Sequence, residues 1–332
     1  MNPVSTRLLS QQLLSPQFGN PTGVVEWMGA LQAQDYAMMR LAVAVRMKTA
    51  ARHKAAQMLT EAFNQGQIIR MHTLRMTWQL MPRDLMLPIL DLCTVRNMRT
   101  LRGWTNYFGF DPDDDTLQNT NTIINECLCG GKSLSLGTLT DALQKAHLAA
   151  NRQQARYLIH YAETSGLVCN GNHSEKDITY ALLREKVGCS PTLSHNDALQ
   201  RLARAYFRSH APATEQDFVW WSGLSATDCR KAMHSIADEL TAVVLPSTTI
   251  KNQTDTYYLH STTRTRTALK NSTILLPAYD EYLIGYKSRH MALPPEKEHL
   301  AHTKNGIFYP VVLTEGMVTG RWNRNEHKNL MV

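Results

Sequence analysis

One order of elements occurs three times along this chain: a capped helix, a second helix, a glycine or polar break, then two short apolar strands. That repetition most limits the folds open to it. In the middle pass, Thr138 and Asp141 start one helix, Asn151 with Gln154 gives a capping-box signal for the next, and Gly166 ends it. Leu167–Cys169 and Ile178–Leu183 then read as strands around a polar loop that includes Asn170-Gly171. The later pass begins at Thr214 with Asp217 and continues from Ser225 with Asp228. Its strands are Ala242–Leu245 and Thr256–Leu259, separated by the polar loop Ser247–Asp255. The first pass places helices over Val24–Ala33 and Arg52–Gln65, a stop at Gly66, and strands over Ile68–Thr73 and Met76–Leu80. In that hairpin Ile69, Met71, Trp78 and Leu80 fall on one face, and Arg70, His72, Thr77 and Gln79 on the other.

Helix, helix, two-stranded wing is the order of a winged helix-turn-helix, whose second helix can enter the DNA major groove. The reading is an α+β fold, mainly α, of three tandem winged-helix units and a small C-terminal β unit. The expected divisions are 1–105, 106–190, 191–270 and 271–332. After Thr273 the small β unit is formed by Ile274–Pro277, Ile307–Leu313 and Met317–Trp322. The methionines Met28, Met38, Met39 and Met58 on helical faces read as core filler.

Winged helices also serve as protein–protein modules, so charge has to decide between partners. The chain is +7, and its location is informative. Residues 1–110 hold twelve bases (Arg7, Arg40, Arg46, Lys48, Arg52, Lys54, Arg70, Arg75, Arg83, Arg96, Arg99, Arg102) against five acids (Glu26, Asp35, Glu61, Asp84, Asp91). The first third alone is therefore +7, and the remaining 23 bases and 23 acids cancel. A basic third on a neutral remainder points to a polyanion, because each neutralised phosphate releases counterions. Only the first unit has the electrostatics of a DNA face. The loop between the last two hairpin strands, with Lys251 and Asn252, is a further candidate for the minor groove.

Other classes are set aside by composition. No stretch approaches the roughly 18–20 apolar residues that a membrane span needs. Met1 to Ser15 lacks the layout of a secretory signal. The six cysteines are scattered, with no C-x-x-C pair, so Cys127 and Cys129 read as buried thiols rather than metal ligands, and a reducing cytoplasm is expected. Neither a metal nor a cofactor is expected.

Five segments in order resemble one family. They are Gly29-Ala30-Leu31-Gln32-Ala33-Gln34-Asp35-Tyr36; the hairpin Ile69-Arg70-Met71-His72-Thr73-Leu74-Arg75-Met76-Thr77-Trp78; Ala211-Pro212-Ala213-Thr214 with Asp217-Phe218-Val219-Trp220-Trp221-Ser222-Gly223-Leu224; Leu275-Leu276-Pro277-Ala278-Tyr279-Asp280-Glu281-Tyr282-Leu283; and Gly306-Ile307-Phe308-Tyr309-Pro310-Val311-Val312-Leu313. The resemblance is to the winged-helix DNA-binding family that includes the AlkZ-type DNA glycosylases, which unhook interstrand crosslinks and remove N7-alkylated guanines. It implies three tandem winged helices in a C-shape around DNA, followed by a small β-barrel. It also implies a catalytic motif of glutamine, an apolar residue and glutamine, which Gln32-Ala33-Gln34 matches. A related branch has Asp at the second position, and this chain does not follow it. The hairpin often continues Trp-His in relatives, whereas Gln79 follows Trp78 here. The C-terminus stops soon after Gly320-Arg321-Trp322, where relatives usually continue.

The chemistry fits a labile leaving group. A glutamine amide does not titrate near neutrality, so it cannot be a general base. It can hold a water, and its carbonyl dipole can face a developing cation. That suffices for N7-alkylguanine, whose ring is already positive and leaves as a neutral base. On a regular helix residues i and i+2 lie about 200° apart, so Gln32 and Gln34 share a pocket only if the helix ends or distorts at Ala33–Asp35. The leading expectation is a monomeric, nucleoid-associated, monofunctional glycosylase. Gln32 and Gln34 are its catalytic residues, and Arg70, His72, Arg75, Thr77, Gln79, Lys251 and Asn252 contact duplex DNA that is alkylated or crosslinked. The alternative is a non-catalytic winged-helix regulator, although no ligand-sensing domain or dimerisation helix is evident in the sequence.

Overall fold

The computed structural model describes residues 1–174, 177–188, 193–247, 252–265, 269 and 272–323. The chain divides into two compact units, one of Met1–Leu59 with Asn196–Val332 and one of Thr60–His195. Compactness thus cuts across the four consecutive stretches expected from the repeat, because the N-terminal helices pack with the C-terminal half.

In the first unit, capping residues set the helix starts. Asn2 accepts from the Ser5 amide ahead of Pro3–Ser10, and Asn20 accepts from Gly23 ahead of Pro21–Met28. Both helices place proline at their first position, where its missing N–H costs nothing. Gly29 (φ 75°) stops the second of them at Met28, five residues before the expected end at Ala33. Asp35 caps Tyr36–Ala44 through the amides of Ala37 and Met38. The helix starts read at Thr214 and Ser225 are in place: Thr214 and Asp217 form a reciprocal capping box before Glu215–Ser222, and the Ser225 side chain caps Ala226–His234. The following hairpin pairs Leu240–Pro246 with Thr254–His260 from Leu240↔His260 to Pro246↔Thr254, longer than the expected strands. Most of its residues lie at or near the surface, and Val244 is 66% exposed.

The C-terminal part of this unit is a three-stranded antiparallel sheet in which Val311–Thr314 lies between Thr273–Leu276 and Met317–Arg321. The expected barrel is not closed: among the described residues the sheet ends at these three strands. Its inner face supplies Leu276, Val311, Leu313 and Val318 to a core completed by Leu8, Tyr282, Leu283 and Leu293.

The second unit begins within the helix Ala55–Asn64 and continues into the first hairpin, Ile68–His72 against Trp78–Pro82, in register Ile69↔Met81, Arg70↔Leu80 and His72↔Trp78. The long helix Arg83–Arg102 and the short one Thr105–Phe108 follow. Next come the helix Asp114–Leu128, the strand Leu134–Ser135, and the helices Leu136–Lys145 and Arg152–Thr164. The strands Val168–Asn170 and Thr179–Leu182 complete a sheet in which Thr179–Leu182 is central. Ser135, not Thr138, caps Leu136–Lys145, because its hydroxyl accepts from the Thr138 amide. Gly66 (φ 66°) and Gly166 (φ 82°) each lie just beyond the helix they were expected to end. A Cβ at Gly166 would also meet Leu90 Cδ2 at 2.7 Å, so the position is restricted by packing as well as by φ.

The first hairpin departs from its expected alternation, since all ten strand residues are buried. The register also regroups the faces: Arg70 lies opposite Leu80 and His72 opposite Trp78, so Trp78 and Leu80 share a face with Arg70 and His72 rather than with Ile69 and Met71. On that face the unit's own Asn170 and Glu163 hold Arg70 and His72.

Two ionic contacts tie the first unit together. The Arg46 guanidinium is fully buried and bridges both Asp280 oxygens at 2.8 Å, while also donating to Gln11 Oε1 and the Ala42 carbonyl. Breaking such a buried pair from one side leaves an uncompensated charge, so Asp280→Ala is expected to destabilise the protein by roughly 3–5 kcal/mol in denaturant unfolding. A loss below about 1 kcal/mol would show that the pair is not in place. The second contact is Glu239, which accepts from Arg204 at 2.6–3.0 Å and meets His260 at 3.0 Å. The Arg204 hydrogen bonds hold its carboxyl down to about 2, so the stability it contributes is complete above the ordinary value of 4.5. That contribution is lost as pH falls through about 2. Acid unfolding curves should therefore be shallower for Glu239→Gln than for the unmodified chain across that window.

Candidate active site

Gln32, Ala33 and Gln34 lie on neither flanking helix. After Gly29 the chain runs extended, with Leu31–Gln32 as a short strand, and Gln34 sits in the bend just before the Asp35 cap. The helix that would have set the two glutamines on opposite sides ends well before them. Gln32 is 4% exposed and its Oε1 accepts from the Ala33 amide at 2.8 Å, whereas Gln34 is exposed.

What fixes this segment is Glu281, itself 1% exposed. Its Oε1 accepts from the Gln32 amide at 2.7 Å. Its Oε2 accepts from Trp221 Nε1 at 3.1 Å and lies 3.4 Å from His210 Nε2. His210 stacks on Tyr206 with ring centroids 4.5 Å apart, and Ser209 Oγ is 2.8 Å from its Nδ1. Burial pushes His210 below the ordinary imidazole range. The neighbouring Asp280 caps the helix Glu281–Ile284 and holds Arg46, so consecutive carboxylates serve two separate anchors. Three of the segments singled out in the sequence, those of Gln32, Trp221 and Glu281, thus meet at one carboxylate. Sequence reasoning quoted Glu281 without giving it a role. The available signal was a pair of acids inside an otherwise apolar run, Leu275-Leu276-Pro277-Ala278-Tyr279-Asp280-Glu281-Tyr282-Leu283.

The residues expected to contact DNA are placed differently from one another. Arg70 is 2% exposed; it donates to Asn170 Oδ1 and lies 3.9 Å over the Trp78 ring. His72 is 6% exposed, and both its main-chain N–H and its Nδ1 meet Glu163, at 3.0 and 2.8 Å. Gln79 is buried and donates to Thr77 Oγ1. Thr77 and Arg75 are half-buried, Arg75 at the hairpin turn with φ 58°. Asn252 is exposed in the tip of the other hairpin with φ 62°, and Lys251 lies outside the described residues.

The positive charge of the first third is divided as well. Arg7, Arg46 and Arg70 are buried in their own units. Arg96, Arg99 and Arg102, at helical spacings of three on Arg83–Arg102, are exposed, beside Val95 at 74% and Tyr107 at 79% exposed. The three-residue spacing was legible in the sequence, but the repeat directed attention to the hairpin.

A family described as DNA glycosylase AlkZ-like matches residues 25–332. Among solved structures the chain is similar to Streptomyces sahachiroi DNA glycosylase AlkZ, with a TM-score of 0.75 and 21% identity over 97% of this chain and 87% of that one. No curated protein matches it significantly.

The clamp on the Gln32 amide has a direct readout. In Glu281→Ala the Gln32 N–H loses a buried charged acceptor, and its hydrogen exchange should accelerate by roughly tenfold or more, the equivalent of losing a bond to a charged group. Amides of the C-terminal sheet, such as Leu313, should keep their protection. Unchanged exchange at Gln32 would show that Glu281 does not hold it.

Proposed function

Because this chain belongs to the AlkZ-like DNA glycosylase family, we propose that it hydrolyses the N-glycosidic bond of N7-alkylated guanine in duplex DNA, with Gln32 and Gln34 as its catalytic pair. The observation that carries this reading is the buried Glu281, which anchors the main chain of the glutamine motif to Trp221 and to its own segment. A site that works through dipoles needs them fixed beforehand, and this clamp fixes one of the two residues.

In this reading one amide carbonyl holds the attacking water, and the other faces the positive charge that builds on the sugar. Gln34 is exposed and available for either role. Gln32 Oε1 has a second lone pair, so it accepts from the attacking water while keeping the bond from the Ala33 amide. Neither glutamine is an amine nucleophile, so water attacks and the enzyme is monofunctional. The already cationic base needs no protonation to leave. Crosslinks through the same guanine position are unhooked by the same step.

Two features support reading the repeats as winged helices. One is the helix–strand–helix–helix–hairpin order of the second unit, with the last strand central in its sheet. The other is the capped helix pair Glu215–Ser222 and Ala226–His234 followed by a hairpin. DNA is then held by the exposed Arg96, Arg99 and Arg102, by Arg75 and Thr77 at the first hairpin turn, by Asn252 at the tip of the other hairpin, and by Lys251, which precedes it in sequence. The buried Arg70, His72 and Gln79 contribute by holding the first hairpin in shape. The protein acts as a monomer in the nucleoid.

Duplex DNA carrying 7-methylguanine is the test substrate. Gln32→Ala and Gln34→Ala should each slow base release by roughly ten- to a thousandfold, with duplex affinity unchanged because neither side chain is charged. Wild-type protein that binds the duplex but releases no base would place the chain among non-catalytic DNA binders. Affinity should also fall steeply with salt. Arg99→Glu should weaken binding and flatten that slope, whereas Arg230→Glu should do neither, since Arg230 is already paired with Glu215. Equal effects at the two positions would remove the long helix from the DNA face.

A further inference from the structure

The second unit holds a cluster with no part in the reaction above. His160 and Glu163 are three residues apart on the helix Arg152–Thr164, and so share one of its faces. His72 reaches them from the strand Ile68–His72. His72 Nδ1 lies 2.8 Å from Glu163 Oε2, and His160 Nδ1 lies 3.8 Å from the same oxygen. One ligand atom from each residue falls within 4.8 Å of the other two.

Hydrogen bonding alone satisfies this cluster poorly. A proton between His72 and Glu163 serves one imidazole, and 3.8 Å is too long for the other. His160 Nδ1 is buried and has no hydrogen-bond partner among the described residues, yet it lies 3.8 Å from the carboxylate. A buried imidazole nitrogen left in that state is destabilising. One cation among the three atoms would satisfy all of them, since zinc takes histidine nitrogen and carboxylate oxygen at roughly 2.0–2.2 Å.

The surroundings suit a metal. The other oxygen of Glu163 accepts from the His72 main-chain N–H at 3.0 Å, which orients the carboxylate. The His72 ring packs on Trp78 at 4.1 Å, and His160 stands edge-on to Trp104 at 6.1 Å. Such outer contacts fix ligand geometry before the ion arrives. The His160 side chain keeps 14% exposure, which gives an ion and a fourth, water ligand a way in.

We propose that His72, His160 and Glu163 form a site for one divalent transition ion of the zinc type. No sequence pattern announces it, because His72 stands 91 residues from Glu163 and the two meet only through folding.

Full-length protein stripped of metal should take up one Co2+ per chain. It should show the visible d–d bands of a four- or five-coordinate nitrogen and oxygen site, and release the ion to added Zn2+. His160→Ala and Glu163→Gln should each weaken uptake by more than about a hundredfold, beyond the roughly 10–100-fold that the loss of an outer contact gives. His195→Ala removes an exposed histidine and should change nothing. Glu163→Gln keeps the acceptor for the His72 N–H and the side-chain shape, and circular dichroism checks that it folds. Should a variant fail to fold, the wild-type stoichiometry and spectrum decide alone. Uptake well below one ion per chain, absent d–d bands, or uptake unchanged in His160→Ala or Glu163→Gln each overturns the proposal.

Discussion

Asp280 and Glu281 are buried side by side, and a carboxylate cannot be taken from water uncompensated. Each is met by its own donors: Asp280 by Arg46 and the Tyr282 amide, Glu281 by the Gln32 amide, Trp221 and His210. Arg46 follows the helix Tyr36–Ala44, Gln11 lies near the N-terminus, and Trp221 ends the helix Glu215–Ser222. Segments separated by up to 249 residues must therefore be correctly placed before either charge is satisfied. A partly formed network would be worse than an apolar core, so these two residues select one arrangement of the first unit over its neighbours.

Much of the fold was legible because local rules and tertiary packing agree. Asn151, Thr214 and Ser225 cap the helices they were expected to start, and Gly66 and Gly166 follow the helices they were expected to end. Three hairpins appear in order, with strand ends displaced by one or two residues. The reading failed where a distant segment decides. Alternation separates the residues of Ile68–His72, but the register sets Trp78 and Leu80 opposite His72 and Arg70 rather than beside Ile69 and Met71, and no local pattern shows that Asn170 and Glu163 hold that face. The helix expected through Gln32 ends at Met28 instead, because Gly29 takes a φ of 75°, which favours glycine and stops the helix there. The boundaries of the compact units were hidden for a related reason. The chain returns to its own beginning after Asn196, and only long-range contacts record that return.

Net charge located the partner class better than the contact residues. Counting Arg7, Arg46 and Arg70 toward a DNA face overstated it, since each is buried against groups of its own unit. A buried arginine has a planar fork to fill with acceptors and acts as a scaffold. The bases free to meet a phosphate are those that bury poorly, on the exposed side of a long helix. Composition cannot distinguish the two uses, because the same residue type serves both.

The same distinction bears on how a catalytic motif without a titrating group could work. A general base can tolerate some mobility, because its driving force is a difference in proton affinity. Two amide dipoles have no such reserve, and their worth depends on being aimed before charge develops. A glutamine side chain has several rotatable bonds, and ordering it costs on the order of 1.5–2 kcal/mol. Fixing the main chain beneath it removes the larger uncertainty, that of where the side chain begins. A buried carboxylate receiving the Gln32 amide does this with a charge-assisted bond, stronger than a neutral carbonyl would give. An extended segment between two capped helices then sets the position of the next glutamine through a single intervening residue. On this argument Ala33, fully buried and without reach of its own, matters for its size. A larger side chain there would have to displace the core beneath the motif and would move both glutamines at once.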